Sequence, residues 1–373
     1  MNLLCLIDSL GSGGGQRQLV NLAVLWKQKG HGISFACYHR DPFYLQLLEE
    51  NGIEVTWIDS RSAADRIRKV RSYIRSVNPD ILVSFLETPN FIACLSSVGK
   101  HRWKLITNER SAKNESFHGM RSRIFKLAEH FSDWTVCNSV QAMQLWNQYY
   151  PCYAHRISTI YNLISIPQPY QLQAARFQPD ARKRLVIAAS YQSLKNPLAV
   201  IEAVSLLEEE ERSAIRIDWY GRQEVTSGNS EVYRQARRKV EDLGLTDVIS
   251  LHGETKNIYS EIACSDGVGL FSTVEGFPNA VCEAMVLGKP VLMTKVSDYS
   301  RLVTPENGFL CKGMDPQSIR ECLSSFIAAD RETLAAMGTA SRTLAETLFS
   351  RTSVMAQWEA LFEALTNDNK KRV

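Results

Sequence analysis

Short aliphatic and β-branched runs alternate with amphipathic stretches along almost the whole chain, and this alternation limits the fold more than any other feature. Apolar runs bounded by turn residues read as strands buried on both faces, and such strands separated by helices build βα units around a parallel sheet. The first series has a strand over 3–7, the loop Gly11-Ser12-Gly13-Gly14-Gly15, and a helix over about 16–29 that Gly30 stops. Strands follow at 33–38, Ile81–Phe85, 105–107 and Trp134–Cys137, with helices near 42–51, 63–77, 119–131 and 139–149, and the series closes around 157–161. Pro167, Pro169 and Pro179, with glutamines and basic residues, break the periodicity over 163–183, as a linker does. A second series runs through strands at 185–189, Ile215–Tyr220, 248–251, Gly267–Leu270 and 291–294, with helices near 197–208, 230–243, 255–263 and 279–287. In the tail from 351, Val354, Trp358, Leu361 and Phe362 recur at helical spacing; that face must dock, and the first domain is the candidate. The expected boundaries are therefore 1–165, 166–350 and 351–373. Two α/β domains of similar size imply a ligand cleft between them.

With 45% hydrophobic and 22% charged residues in 373, the chain can fill two such cores, which excludes disorder. No apolar run approaches the roughly 18 residues that a membrane-spanning helix needs. Asp8 interrupts the first apolar run before a signal-peptide core forms, so secretion is not expected. The nine cysteines are scattered and mostly sit inside apolar runs, where a reduced thiol behaves as a small hydrophobe, so a cytosolic protein is expected. Neither the cysteines nor the seven histidines show zinc-ligand spacing. Charge is placed unevenly: residues 1–165 carry 19 Lys+Arg against 13 Asp+Glu, the remainder 24 against 27. Over 100–126, Lys100, Arg102, Lys104, Arg110, Lys113, Arg121, Arg123 and Lys126 face only Glu109 and Glu115. Such a surface either attracts phosphates, nucleic acid or anionic lipid, or is simply a solvated helix face. No module interleaves aromatic and basic residues there, so nucleic acid is the least expected partner.

The glycine loop follows a strand and opens a helix, where backbone N–H groups can meet an anion. It is not a P-loop, because no Gly-Lys-Ser/Thr follows, and it fails the dinucleotide fingerprint because position 16 is Gln16 and no acid ends the second strand. Close approach of a phosphate or sugar is one reading of the glycines, and a tight turn is the other. The segment Thr273-Val274-Glu275-Gly276-Phe277-Pro278-Asn279-Ala280-Val281-Cys282-Glu283-Ala284-Met285 says more. It joins a strand to a helix that Asn279 can cap, so first-turn amides and the helix dipole favour a diphosphate. Glu275 before the turn and Glu283 one turn into the helix can each accept hydrogen bonds from vicinal hydroxyls, as a ribose and a hexose offer. Otherwise they are a loop acid and a helix acid on the surface.

This acidic pair, eight residues apart, resembles the signature of retaining glycosyltransferases of family 4, with the GT-B fold. Gly288-Lys289-Pro290-Val291, Lys195-Asn196, Tyr220-Gly221, His252-Gly253, Asn307-Gly308-Phe309 and the Trp358 helix extend the likeness over nearly the whole chain. The resemblance implies an α/β GT-B architecture: two Rossmann-like doubly wound domains facing a cleft, with the carboxy-terminal helix returning to the first. It implies that Glu283 binds the nucleotide ribose, Glu275 the transferred sugar, and the amides around Phe277, Pro278, Asn279 and Ala280 the diphosphate. Lys195 would neutralise charge on the departing diphosphate, the main electrostatic demand of glycosyl transfer. Gly221 and Gly253 would line the base, Gly14 and Gly15 the donor phosphate, and Gly13 the acceptor. Two positions depart from the family pattern. Ser190 stands where an arginine is common, leaving Arg222 or Arg17 to supply the phosphate cation, and Asn108-Glu109-Arg110 stands where a histidine often meets the reacting sugar. Glu109 is then the expected catalytic contact and Arg110 an acceptor contact, unless Glu109 simply pairs with a nearby cation.

The implied reaction moves a hexose or N-acetylhexosamine from a nucleotide-sugar, with UDP the commonest base in the family, and retains the anomeric configuration. No Asp-x-Asp occurs to hold a divalent ion near phosphates, so neither metal nor cofactor is expected. The basic first domain, including Arg61, Arg66, Arg68, Lys69, Arg71 and Arg75, suits an anionic membrane surface and a lipid-linked (polyprenyl diphosphate) saccharide acceptor, as in O-antigen or capsule synthesis at the inner face of the cell membrane. A GT-B epimerase or phosphorylase, or a non-catalytic nucleotide-sugar binder, is the alternative.

Overall fold

The computed structural model describes residues 1–112, 117, 119–166, 182–224 and 229–367; most of the expected linker and its three prolines, and Lys113 and Glu115 of the basic stretch, lie outside them. The chain divides into two compact units, residues 1–163 with 351–373 and residues 164–350.

In the first unit the strands are β1 (Asn2–Leu6), β2 (Gly32–Cys37), β3 (Glu54–Trp57), β4 (Ile81–Phe85), β5 (Lys104–Glu109), β6 (Trp134–Cys137) and β7 (Ile157–Thr159). All pair in parallel in the order β3-β2-β1-β4-β5-β6-β7. Leu3 pairs with Ile33 on one side and Ile81 on the other, so the order reverses at β1 and the glycine loop leaves the sheet at its switch point. Trp26 from the helix Gly14–Gln28 meets Trp358 and Phe362 edge-on, each with ring centroids 5.3 Å away. The helix Arg351–Asn367 thus completes one face of this core, and His31 Nε2 fixes its exposed side to Glu359 at 3.0 Å.

The second unit has β8 (Lys183–Ala188), β9 (Ile215–Tyr220), β10 (Ile249–His252), β11 (Gly267–Leu270), β12 (Val291–Met293) and β13 (Gly308–Leu310), parallel in the order β10-β9-β8-β11-β12-β13. Its switch point lies between β8 and β11, whose following loops carry Lys195 and Glu275. Several elements depart from the sequence reading, which contains neither the edge strands nor the helices between β13 and the tail. The edge strands β3 and β13 lack a continuous apolar run, β3 being only half-buried, and the helix Glu87–Ser96 is obscured by Pro89 and Asn90. Beyond β13 the helices Pro316–Ala328 and Arg331–Phe349 announce themselves through Asp315 and Asp330, whose carboxylates accept from Ser318 N and Thr333 N.

Trp358→Ala should destabilise the first unit by about 3–5 kcal/mol, the range for emptying a buried indole site. Equilibrium denaturation followed by circular dichroism measures it, and a loss below about 1 kcal/mol would mean the helix contributes little to this core.

Candidate active site

The second unit's switch point gathers the acidic segment and the lysine. After β8 the chain makes a tight turn over Ser193–Lys195 and passes through Asn196 in the left-handed region (φ 62°) into the helix Pro197–Ser205. The loop after β11 is laced to that turn: Thr273 N–H donates to Leu194 O at 2.8 Å, and Lys195 Nζ meets Glu275 Oε1 at 2.5 Å. Ser272 Oγ donates to the same carboxylate oxygen at 2.7 Å, so Glu275 is held from two sides while half-buried. Ser272 was not among the residues expected from sequence; its Ser-x-x-Glu spacing is the signal that could have found it. Below, Thr294 Oγ1 donates to Ser272 O at 2.6 Å and Ser297 Oγ to Gly276 O at 2.8 Å, fixing the loop from the β12 side.

The turn itself corrects one expectation. Asn279 is the first residue of the helix Asn279–Val286, and Pro278 occupies the cap position with no side-chain cap bond. Buried Phe277, edge-on to Phe349 at 5.7 Å, and the rigid Pro278 aim the chain into the helix in place of an asparagine cap. Cys282 N–H closes onto Pro278 O at 3.1 Å, which puts the amides of Ala280 and Val281 in the first turn, where helical geometry supplies no acceptor. Glu283 follows, with 8% of its surface exposed. Its neighbour Cys282 is inert by environment, since burial and then the charge of Glu283 push its thiol well up.

Around the base position, Gly221 has a packing reason of its own. An added Cβ there would lie 1.9 Å from Ala189 O, so β8 and β9 can end side by side only with glycine. Trp219 Nε1 donates to Ala189 O at 2.7 Å, and Tyr191 OH donates to Trp219 O at 3.1 Å and His252 O at 2.9 Å. His252 stacks on Tyr220 and its Nε2 lies 3.3 Å from Asp218 Oδ1, a structural role. Gly253 follows it, half-buried, and Ser190 Oγ accepts from Gln192 Nε2 at 3.0 Å. Arg222 is exposed and paired with Glu254 at 3.3 Å.

In the first unit the glycine loop is turned on itself. Gly13 caps the helix Gly14–Gln28, Gly14 and Gly15 form its first turn, and Arg17 N–H returns to Gly13 O at 2.9 Å. A Cβ on Gly13 would lie 2.2 Å from Gln16 Oε1, and Gln16 Nε2 in turn donates to Asp8 Oδ1 at 3.0 Å. That oxygen is the far end of a flexible side chain, so packing against it does not by itself require glycine at 13. Glu109 is buried and paired with Lys126, and its Oε1 accepts from Arg110 N at 3.1 Å and Ser111 N at 3.0 Å. Arg110 lies over the Phe85 ring at 4.0 Å and donates to Asn162 Oδ1 at 2.5 Å.

The broad basic face shrinks on inspection. Lys126 is buried between the Phe117 and Trp146 rings, at 4.9 and 4.7 Å. Arg71 donates to Leu95 O and Val98 O, and Arg75 to Val98 O and Lys100 O, so both close the carboxy-terminal end of the helix Glu87–Ser96. Arg66 lies over Tyr38 at 4.6 Å, Arg68 and Lys69 pair with Asp65, and Lys104 with Asp133.

Beneath Glu109, burial raises Glu129 to about 7, against the opposing pull of Thr107 Oγ1, which donates to it at 2.5 Å, and of Lys126. A carboxyl raised in the folded state keeps its proton there while the unfolded chain has lost its own, so stability falls as pH rises from about 4.5 to about 7. Glu129→Gln should flatten that fall in denaturation midpoints measured across this window, and an unchanged slope would mean the carboxyl titrates normally.

Sequence comparison places residues 171–344 in the family described as Glycosyl transferases group 1 and residues 12–166 in Glycosyltransferase Family 4. The chain is 24% identical over 298 residues, 76% of its length and 77% of the relative's, to the Campylobacter jejuni GalNAc-alpha-(1->4)-GalNAc-alpha-(1->3)-diNAcBac-PP-undecaprenol alpha-1,4-N-acetyl-D-galactosaminyltransferase. It is 20% identical over 220 residues to the Bacillus anthracis N-acetyl-alpha-D-glucosaminyl L-malate synthase, covering 57% of this chain and 55% of that one. Among solved structures, Anabaena HepE in complex with UDP superposes with a TM-score of 0.82 at 19% identity, covering 98% of this chain and 100% of that one. The fold is therefore that of the GT-B glycosyltransferases.

Proposed function

The chain belongs to the glycosyl transferases of group 1, its first half to Family 4, and on that premise we propose a retaining, metal-independent transfer from a UDP-sugar to a polyprenyl-diphosphate-linked saccharide. The observation that carries the reading is the junction of Lys195, Glu275 and the first turn of the helix Asn279–Val286 at one switch point. A diphosphate at the Phe277–Ala280 turn, held by the acceptor-free amides of Ala280 and Val281, brings its negative charge to Lys195, which exchanges Glu275 for a phosphate oxygen. Glu275, still held by Ser272, is then free to accept from hydroxyls of the transferred sugar. Glu283, one turn further and buried, takes the ribose hydroxyls.

In the transfer, the bond from the anomeric carbon to the β-phosphate oxygen breaks and its electron pair stays on the diphosphate. The acceptor oxygen bonds to the same carbon on the same face, and its proton passes to the leaving phosphate. Lys195 and the turn amides stabilise that charge without reorganising, which is where such sites accelerate most. The acceptor falls to the first unit, with Gly13, Arg17 and Arg110 as its contacts; Glu109 serves this reading as a positioning residue, because its carboxylate holds the Arg110–Ser111 backbone. The likeness to a transferase named for a PP-undecaprenol saccharide supports a lipid-linked acceptor, and it is that acceptor which puts the proposed site of action at the cytoplasmic membrane face.

Glu283→Ala should abolish the thermal shift given by UDP-sugars, which for wild type at 100 times Kd corresponds to about 2.7 kcal/mol. Glu275→Ala should keep most of that shift while lowering kcat, and Lys195→Ala should lower kcat by about 10²–10³. The reverse ranking of the two glutamates would exchange their roles. Chelator treatment should leave turnover unchanged; lost activity restored by a divalent ion would overturn metal independence.

A further inference from the structure

The helix Met120–Ala128 turns its most apolar side chains outward: Met120 is 80% exposed, Ile124 53% and Leu127 59%. At about 100° per residue these three fall within roughly 60° of one another, forming one stripe. Arg121 and Arg123, both exposed, flank that stripe on its two sides, and the helix contains no acidic residue. Its opposite side is firmly held. Phe125 stacks on Phe91 with centroids 4.2 Å apart, and Lys126 is buried on Glu109. Nothing about its packing therefore requires exposed aliphatics, and with Arg71, Arg75 and Lys126 committed to internal partners, Arg121 and Arg123 are among the exposed cations that remain on the first unit.

We propose that Met120, Ile124 and Leu127 insert into the interface of an anionic lipid membrane, with Arg121 and Arg123 snorkelling to its headgroups. A helix lying in the interface needs an apolar strip inward and cations at the strip's edges, and this helix has both. The cations rule against a purely apolar partner, and the stripe rules against a soluble polyanion, since neither accounts for both halves of the pattern. The inference deepens the lipid-linked acceptor reading: a protein riding on the surface meets a polyprenyl-anchored saccharide in two dimensions. It does not depend on which sugar is moved.

The test is vesicle flotation of the full chain, with phosphatidylcholine alone and with added phosphatidylglycerol. Wild type should float with the anionic vesicles and release with salt. Ile124→Asp with Leu127→Asp should lower partitioning roughly tenfold or more, and Arg121→Glu with Arg123→Glu should remove the preference for anionic lipid. UDP-induced thermal shifts measured on the same variants should match wild type, which separates failure of this proposal from failure of the donor-site reading. Wild type that stays with neither vesicle, or an aspartate variant that floats like wild type, overturns the proposal. A wild-type dimer in solution that the aspartate variant converts to monomer would assign the stripe to self-association instead.

Discussion

Two loops that leave a parallel sheet on opposite sides of its switch point must be tied together before they can serve one ligand, and here Lys195 against Glu275 makes the tie. The pair is half-buried, so its attraction is less screened than on an open surface and its desolvation is only partial. The backbone bond from Thr273 N–H to Leu194 O sets the distance, and Ser272 Oγ holds the same carboxylate independently of the lysine. In the proposed transfer a lysine suits this position because its ammonium is a compact charge on a flexible stem, able to exchange a carboxylate for a phosphate without moving backbone.

The rest of the second unit reads as support for that junction. Gly221 lets β9 end against Ala189 O, Tyr191 ties the end of β8 to Trp219 and His252, and Phe277 with Pro278 starts the acidic helix at a fixed angle. Elsewhere in this unit a buried charge is matched: Asp218 is fully buried, and Arg184, Arg216 and His252 pair with it. In the proposed transfer such a scaffold would hold donors in place before the reaction, which is the condition under which electrostatic stabilisation is effective.

Much of this was legible in the sequence because buried parallel strands are written as uninterrupted apolar runs; β4 and β11 are clear cases. The half-exposed β3 and the three-residue β13 carry no such run, so they stay hidden. The acidic motif was legible as chemistry, but its cap was not: Asn279 has the right side chain, and the tertiary packing of Phe277 moves the cap one residue earlier. Least legible were the cations of the first unit. Lys126 and Glu109 are 17 residues apart, and Arg71 and Arg75 reach carbonyls more than twenty residues away, so sequence alone cannot tell them from free surface charge.

The central claim is that the Lys195–Glu275 junction opens to receive a sugar diphosphate. A crystal structure with an intact UDP-sugar tests it most directly. The account predicts the diphosphate on the acceptor-free amides at the start of the helix Asn279–Val286, Lys195 Nζ withdrawn from Glu275 onto a phosphate oxygen, and the ribose hydroxyls on Glu283. A bound nucleotide lying elsewhere, with the Lys195–Glu275 pair unbroken, would contradict it.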